Sequence, residues 1–221
     1  MTDVQNILFY CTAVILLALM PGPDIIFVIT QGITKGKKEA LFTSFGLGTG
    51  CIFHASLAAF GVAVIFEQSE IAFNVLKYFG AFYLFYLAYK TYKNAAKTDV
   101  SRTDGITEAN KADKVLMEDK SALQGYRKGL LMNLLNPKVI LFFLAFLPQF
   151  TPSNVRHAGL YMFVLGLIFM ILSTSVFCLV SVLSSLLNKI LISNSKLMVK
   201  VNKISAIILG ILAILLLTAS R

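Results

Sequence analysis

Charge is the scarcest property of this 221-residue chain: Asp, Glu, Lys and Arg together make up 14% of it, against roughly 25% in soluble domains. With 57% hydrophobic residues, it has too little polar surface to coat a water-soluble globule. Cysteine is rarer still. Cys11, Cys51 and Cys178 stand far apart with no C-x-x-C pair, which argues against a redox couple or a thiolate metal site and leaves packing thiols. Of the acidic residues, Asp24 alone lies deep inside an apolar run, whereas hard cations want several oxygens, so no metal is expected. H-E-x-x-H, G-x-S-x-G and a Walker-type phosphate loop are all missing. Neither an enzyme activity nor a cofactor is therefore expected, and any transport has to run on an ion gradient or on the substrate's own gradient.

What the chain does have is apolar blocks. Residues 4–20, 40–66, 139–155 and 158–188 carry no charge, and about 20 apolar residues cross the hydrocarbon core of a bilayer. The expected class is an all-α integral membrane protein. The first block has only Asp3 before it and no basic n-region or small-residue cleavage site, so it reads as a retained span and not a signal peptide. The net charge of +9 is confined mostly to segments between the blocks, so membrane topology explains it better than a nucleic-acid partner does.

Six spans are expected, near residues 9–33, 41–66, 71–89, 129–150, 158–187 and 204–219. The links then separate by charge. Lys35, Lys37 and Lys38 follow span one; nine cations from Lys90 to Lys128 follow span three; Lys189, Lys196, Lys200 and Lys203 follow span five. The other side holds Arg156 and Arg221, with Glu67 and Glu70. By the positive-inside rule the crowded side is cytoplasmic and both termini lie outside. Residues 93–123 mix both signs and lack aromatics, as a mobile cytoplasmic linker does.

That linker divides a single membrane domain, residues 1–221, into repeats of about 5–92 and 124–221. Pro23 aligns with Pro137 at an offset of 114, Gly46-Leu47 with Gly166-Leu167 at 120, and Val75, Lys77 and Ala81 with Val201, Lys203 and Ile207 at 126. With three spans per half, the second half enters from the opposite side, so the expectation is two inverted three-helix repeats whose binding site lies where they meet.

The aligned prolines break spans one and four, in Pro21-Gly22-Pro23-Asp24 and Asn136-Pro137-Lys138. Proline has no N–H and clashes inside a helix, yet fits the first position of a new one; Asn136 and Gly22 read as the caps before it. Broken helices at bilayer depth are tolerated where they line a cavity or are buried, and the N-terminus of a half-helix attracts carboxylates. Lys138 is unfavourable at such a terminus and needs an anion, either a bound carboxylate or Asp24; Asp24 in turn can hold an ammonium group. A zwitterion, an amino acid, satisfies both. The plainer readings are that Asp24 is a first-turn or interfacial acid and that Lys138 bridges it permanently. Asn133, one turn before Pro137, is placed to bond a freed carbonyl or a substrate.

His54 lies alone in span two, with a proton relay and a hydrogen-bonded packing role both open; Asp24 is the other candidate for proton coupling. Gly46-x-x-x-Gly50 reads as a close helix contact. Lys77 reads as a snorkelling cation and Tyr78, Tyr83, Tyr86, Tyr89 and Tyr92 as packing and an interfacial belt.

Pro21-Gly22-Pro23-Asp24, the Gly-x-x-x-Gly-x-x-x-His of residues 46–54, and Gly129-Leu-Leu-Met-Asn-Leu-Leu-Asn-Pro-Lys138 leading to Phe146-Leu-Pro-Gln-Phe150 together resemble the LysE/RhtB family of bacterial amino-acid exporters. The likeness runs over nearly the whole chain, including Asn202-Lys203-Ile204 and Gly210 in the last span, although Ser205 stands where glycine is frequent. It implies a multi-pass protein of the bacterial inner membrane, exporting amino acids or close derivatives, coupled to the proton motive force. Site residues carried over are Pro21, Gly22, Pro23, Asp24, Asn136, Pro137 and Lys138, beside Asn133 from the break itself. Partners are then an amino-acid substrate and membrane lipid, with a homo-oligomer left open. A non-transporting membrane scaffold and an exporter of another small metabolite are the competing functions.

Overall fold

A computed structural model describes residues 3–20, 22–62, 70–97, 122–152, 155–191 and 195–218, and these are helical with no strand. Pro21 and residues 98–121, most of the expected linker, lie outside them. The linker's two ends belong to helices: the preceding one runs to Lys97 and the next begins at Ala122.

The first span is two helices, α1 (Asp3–Leu19) and α2 (Pro23–Thr34), bent by 54°. Gly22 is extended before Pro23, which takes the first helical position. At the far end of α2 the amides of Lys35 and Gly36 both donate to the Gln31 carbonyl, and Gly36 has φ of +98°, a left-handed conformation that favours glycine. This turn folds the chain back into α3 (Lys37–Leu57), which widens into a π-helical turn at Ala58–Val62. Helix α4 is Glu70–Lys97. The second broken span consists of α5 (Ala122–Leu134) and α6 (Pro137–Leu141), and the helical path continues through a π turn, Phe142–Phe146, and a 3-10 turn, Leu147–Phe150. This pair is bent by 48°. Two long helices, α7 (Ala158–Leu191) and α8 (Ser195–Thr218), complete the fold.

The second helix of each half packs on the broken span of the other. α3 lies along α5, α7 lies along α1 and α2, and α4 pairs with α8. The α3–α5 contact is backbone to backbone: a Cβ at Gly46 would fall on the Tyr126 carbonyl, and one at Gly129 on the Thr43 carbonyl. Gly46-x-x-x-Gly50 thus makes the close contact its spacing suggests, met by Gly125-x-x-x-Gly129. A core of Tyr10, Phe142, Phe143, Phe146 and Phe169 fills the space beside it, with the Tyr10 hydroxyl donating to the Leu165 carbonyl at 2.8 Å.

Burial is inverted relative to a soluble protein. Phe45, Phe60, Phe82, Leu160 and Leu179 are exposed, while Asp24, Gln31, His54, Asn133 and Lys138 are buried. Lipid is the solvent that matches such a surface. By length and composition, α3 with its π turn and α7 each suffice to cross a membrane, and each bent pair counts as a further span, giving up to four among the described residues. The remaining two expected spans are helical, but α4 carries lysines and tyrosines and only Leu209–Thr218 of α8 forms an apolar stretch. Four of the five α4 tyrosines are exposed, as a belt requires. Lys77 is buried, not snorkelling to the surface, with its ammonium 5.1 Å from the Tyr78 ring centre.

At the expected offset of 126, the α4 and α8 positions differ in burial: Ala81 is buried and Ile207 exposed, and Lys77 is buried and Lys203 exposed.

Candidate functional site

The two breaks meet. Lys138 Nζ lies 3.0 Å from Asp24 Oδ2 and 3.1 Å from Oδ1, across 114 residues of chain, and both side chains are buried. Each is the second residue of its half-helix, directly after a proline. Pro23 and Pro137 themselves are exposed on the outside of the bundle. They start the half-helices; the residues that follow them turn inward.

Each broken helix leaves a carbonyl without its usual partner, four residues before a proline, and in each case the other half supplies a donor. Pro21 has no N–H to give the Leu17 carbonyl. That carbonyl accepts from Lys138 Nζ at 3.2 Å as well as from the Met20 amide. Pro137 likewise has none for the Asn133 carbonyl, which receives the Asn136 amide at 3.0 Å and His54 Nε2 at 3.2 Å. A carbonyl only accepts, so this nitrogen carries the proton. Lys138 of the second half and His54 of the first therefore brace each other's broken partner.

Asn136 caps α6, its Oδ1 accepting the Lys138 amide at 3.0 Å, while its Nδ2 is buried without a hydrogen-bond partner among the described residues. Asn133 is 1% exposed, and among the described residues its side-chain amide has the Cys51 thiol as its hydrogen-bond partner, at 3.6 and 3.9 Å. A thiol is a weak partner, so both asparagines keep donor capacity beside the ion pair. Gly22 faces the pair directly: a Cβ there would stand 2.8 Å from Asp24 Oδ1 and 3.1 Å from Lys138 Nζ. The remaining space is a cavity of about 10 Å³ lined by Asp24, Asn133, Lys138, Phe169, Ser173 and Phe177, among others. It suits one water at most and is far too small for an amino acid. This is a closed arrangement in which the acid and base neutralise each other.

Of the residues Pro21, Gly22, Pro23, Asp24, Asn133, Asn136, Pro137 and Lys138 expected at one locus, Gly22, Asp24, Asn133, Asn136 and Lys138 lie together with His54 against Asn133, while Pro23 and Pro137 face outward and Pro21 is outside the described residues. The sequence reading had no hold on Ser173, Phe169 and Phe177 of α7. Their only signal is an i, i+4, i+8 stripe interrupted by a serine in a long apolar run. Replacing His54 by alanine is expected to leave the Asn133 carbonyl with the Asn136 amide alone and to destabilise the protein by about 0.5–1.5 kcal/mol. His54→Gln, which retains a donor, is expected to recover part of the loss; thermal unfolding of the detergent-solubilised protein measures both.

Comparison with known proteins gives the same direction. The model of a family described as LysE type translocator matches residues 15–220. A leucine efflux protein of Klebsiella pneumoniae subsp. pneumoniae is 32% identical over 180 residues, covering 81% of this chain and 78% of the relative. Leucine efflux proteins of Salmonella choleraesuis and Salmonella typhimurium are each 29% identical over 186 residues, with the same coverage. No solved structure matches the chain. With nearly its whole length matched by one family model, this multi-pass membrane chain belongs to the LysE type translocator family.

Proposed function

We propose that the protein exports amino acids, with leucine or a similar neutral amino acid as the first candidate, from the cytoplasm across a bacterial inner membrane. The buried Asp24–Lys138 pair carries this reading. Two opposite charges, each held by a different half of the molecule, offer one partner to an ammonium and one to a carboxylate. Substrate enters between them when the halves part. Its carboxylate goes to Lys138 and the spare donors of Asn136 and Asn133, and its ammonium to Asp24. The names of the relatives support leucine, and the reciprocal packing of α3 on α5 and α7 on α1 and α2 supports six spans arranged as inverted repeats.

Closure of the pair gives the empty carrier a low-energy form, because neither charge is left alone in a low-dielectric interior. Alternating access follows from rocking one half on the other. For proton coupling we assign Asp24 over His54, whose Nε2 is committed to the Asn133 carbonyl. A proton taken from outside removes the charge that holds the ammonium and so releases substrate there. Lys35, Lys37, Lys38, Arg127 and Lys128 gather at one end, since Gly125 at the start of α5 packs on Glu39 near the start of α3. We take that end as cytoplasmic.

A permanent structural bridge, as in a non-transporting scaffold, would also show this closed pair, and transport separates the two. In cells lacking their own exporters and fed leucine-containing dipeptides, the parent chain is expected to move leucine into the medium and Asp24→Asn to leave it inside. Equal efflux from both would reject the site; absence of efflux from the parent for every amino acid tried would reject the function.

A further inference from the structure

On α2, one more polar side chain is buried between Asp24 and the lysine-bearing end. Gln31 follows Asp24 by seven residues, two turns on along the same face, about 10 Å away along the helix axis. It is 0% exposed, and neither its amide nitrogen nor its amide oxygen has a hydrogen-bond partner among the described residues. Among the described residues, the hydroxyls of Ser44, Ser181 and Ser184 at this level of the bundle are engaged elsewhere. Ser44 donates to the Ala40 carbonyl or to Ser181, Ser181 to the Phe177 carbonyl, and Ser184 to the Ser181 carbonyl. Between Gln31 and the ion pair, Val28, Leu47 and Phe177 form an apolar layer with Ala18 and Ile25. The helices touch without clearance here, for a Cβ at Gly32 would fall on the Ser184 hydroxyl.

A fully buried amide with both ends unpaired weakens the closed arrangement, where an apolar side chain of the same length would pack at no such cost. Opening of the helices packed around α2 would expose the amide to water or a ligand. We propose that Gln31 is a second binding station for the zwitterionic substrate, on the lysine-bearing side of a gate formed by Val28, Leu47 and Phe177. An amide carries a donor and an acceptor on one planar group, so its oxygen receives the substrate ammonium and its nitrogen donates to the carboxylate. Lacking a fixed charge, it holds the substrate weakly enough to pass it on to Asp24 and Lys138. The proposal rests on the export reading above and adds a site to it.

The test is Gln31→Met, which keeps the volume and removes both polar atoms. L-Leucine transport is measured in everted and right-side-out membrane vesicles, so that each face is read separately, with Asp24→Asn in parallel. The KM at the lysine-bearing face is expected to rise about fivefold or more, the loss of both hydrogen bonds to the substrate, and the KM at the opposite face to stay unchanged. The melting temperature of the purified protein is expected to rise. An unchanged KM at both faces, an equal rise at both, or a fall in melting temperature overturns the station, while an inactive Asp24→Asn leaves the central site standing. Parental transport by Asp24→Asn, or no L-leucine transport by the parent, overturns the central reading and the station with it.

Discussion

Asp24→Asn alone is expected to lower stability by about 3–5 kcal/mol and to abolish efflux, whereas the double variant Asp24→Asn, Lys138→Met is expected to recover most of the stability and none of the efflux. The single change leaves the Lys138 ammonium buried without a counter-charge, held by the Leu17 carbonyl and the neutral amide oxygen that replaces the carboxylate. Removing both charges takes away the desolvation penalty together with the attraction, and a buried pair replaced by well-packed groups of similar volume is often neutral or stabilising. A scaffold needs only the packing, so the double variant would satisfy it. A carrier needs the charges. Thermal unfolding and dipeptide-fed efflux on the same three proteins therefore separate the bridge from the binding pair, and a double variant that exports like the parent would remove Asp24 and Lys138 from the mechanism.

Gly46→Ala is expected to have the second-largest effect, a loss of about 3 kcal/mol or more in stability with little folded protein recovered from the membrane. The added methyl would overlap the Tyr126 carbonyl and crowd the Leu130 amide. These are backbone atoms of α5, not the yielding end of a flexible side chain, so relief requires the two helices to move apart. Moving α5 also carries Asn133 away from His54, and with it the brace on the broken span. Gly61 provides the control: it has open space where a Cβ would stand, so Gly61→Ala is expected to be near neutral. Fluorescence-detected size exclusion and a melting curve for each variant report the contrast. A Gly46→Ala protein as stable as the Gly61→Ala control would mean that α3 and α5 do not lie so close.

Much of the fold and part of the site were legible in the amino-acid order. Sparse charge and long apolar blocks determined that this is a helical membrane protein, because lipid permits no unpaired backbone and little buried charge. The prolines determined where two helices break, since a residue without an N–H ends one helix and starts the next. Asp24 and Lys138, each placed directly after such a proline, marked the locus, and G-x-x-x-G marked a close contact.

Which partner each group finds was decided only in three dimensions. That Lys138 closes on Asp24 and also takes the Leu17 carbonyl, that His54 serves a carbonyl in the opposite half, and that Ser173 and Phe177 wall the cavity all depend on contacts between residues tens of positions apart or more. Periodicity along one helix says which side is apolar but not which neighbour it faces, and in an apolar chain a slip of one turn costs the pattern nothing. The unpaired amide of Gln31 is the extreme case: a glutamine in an apolar run has no distinctive neighbours in sequence, and only the packing of α2 in the bundle, with Ser44, Ser181 and Ser184 bonded elsewhere, leaves both its polar atoms without a partner among the described residues.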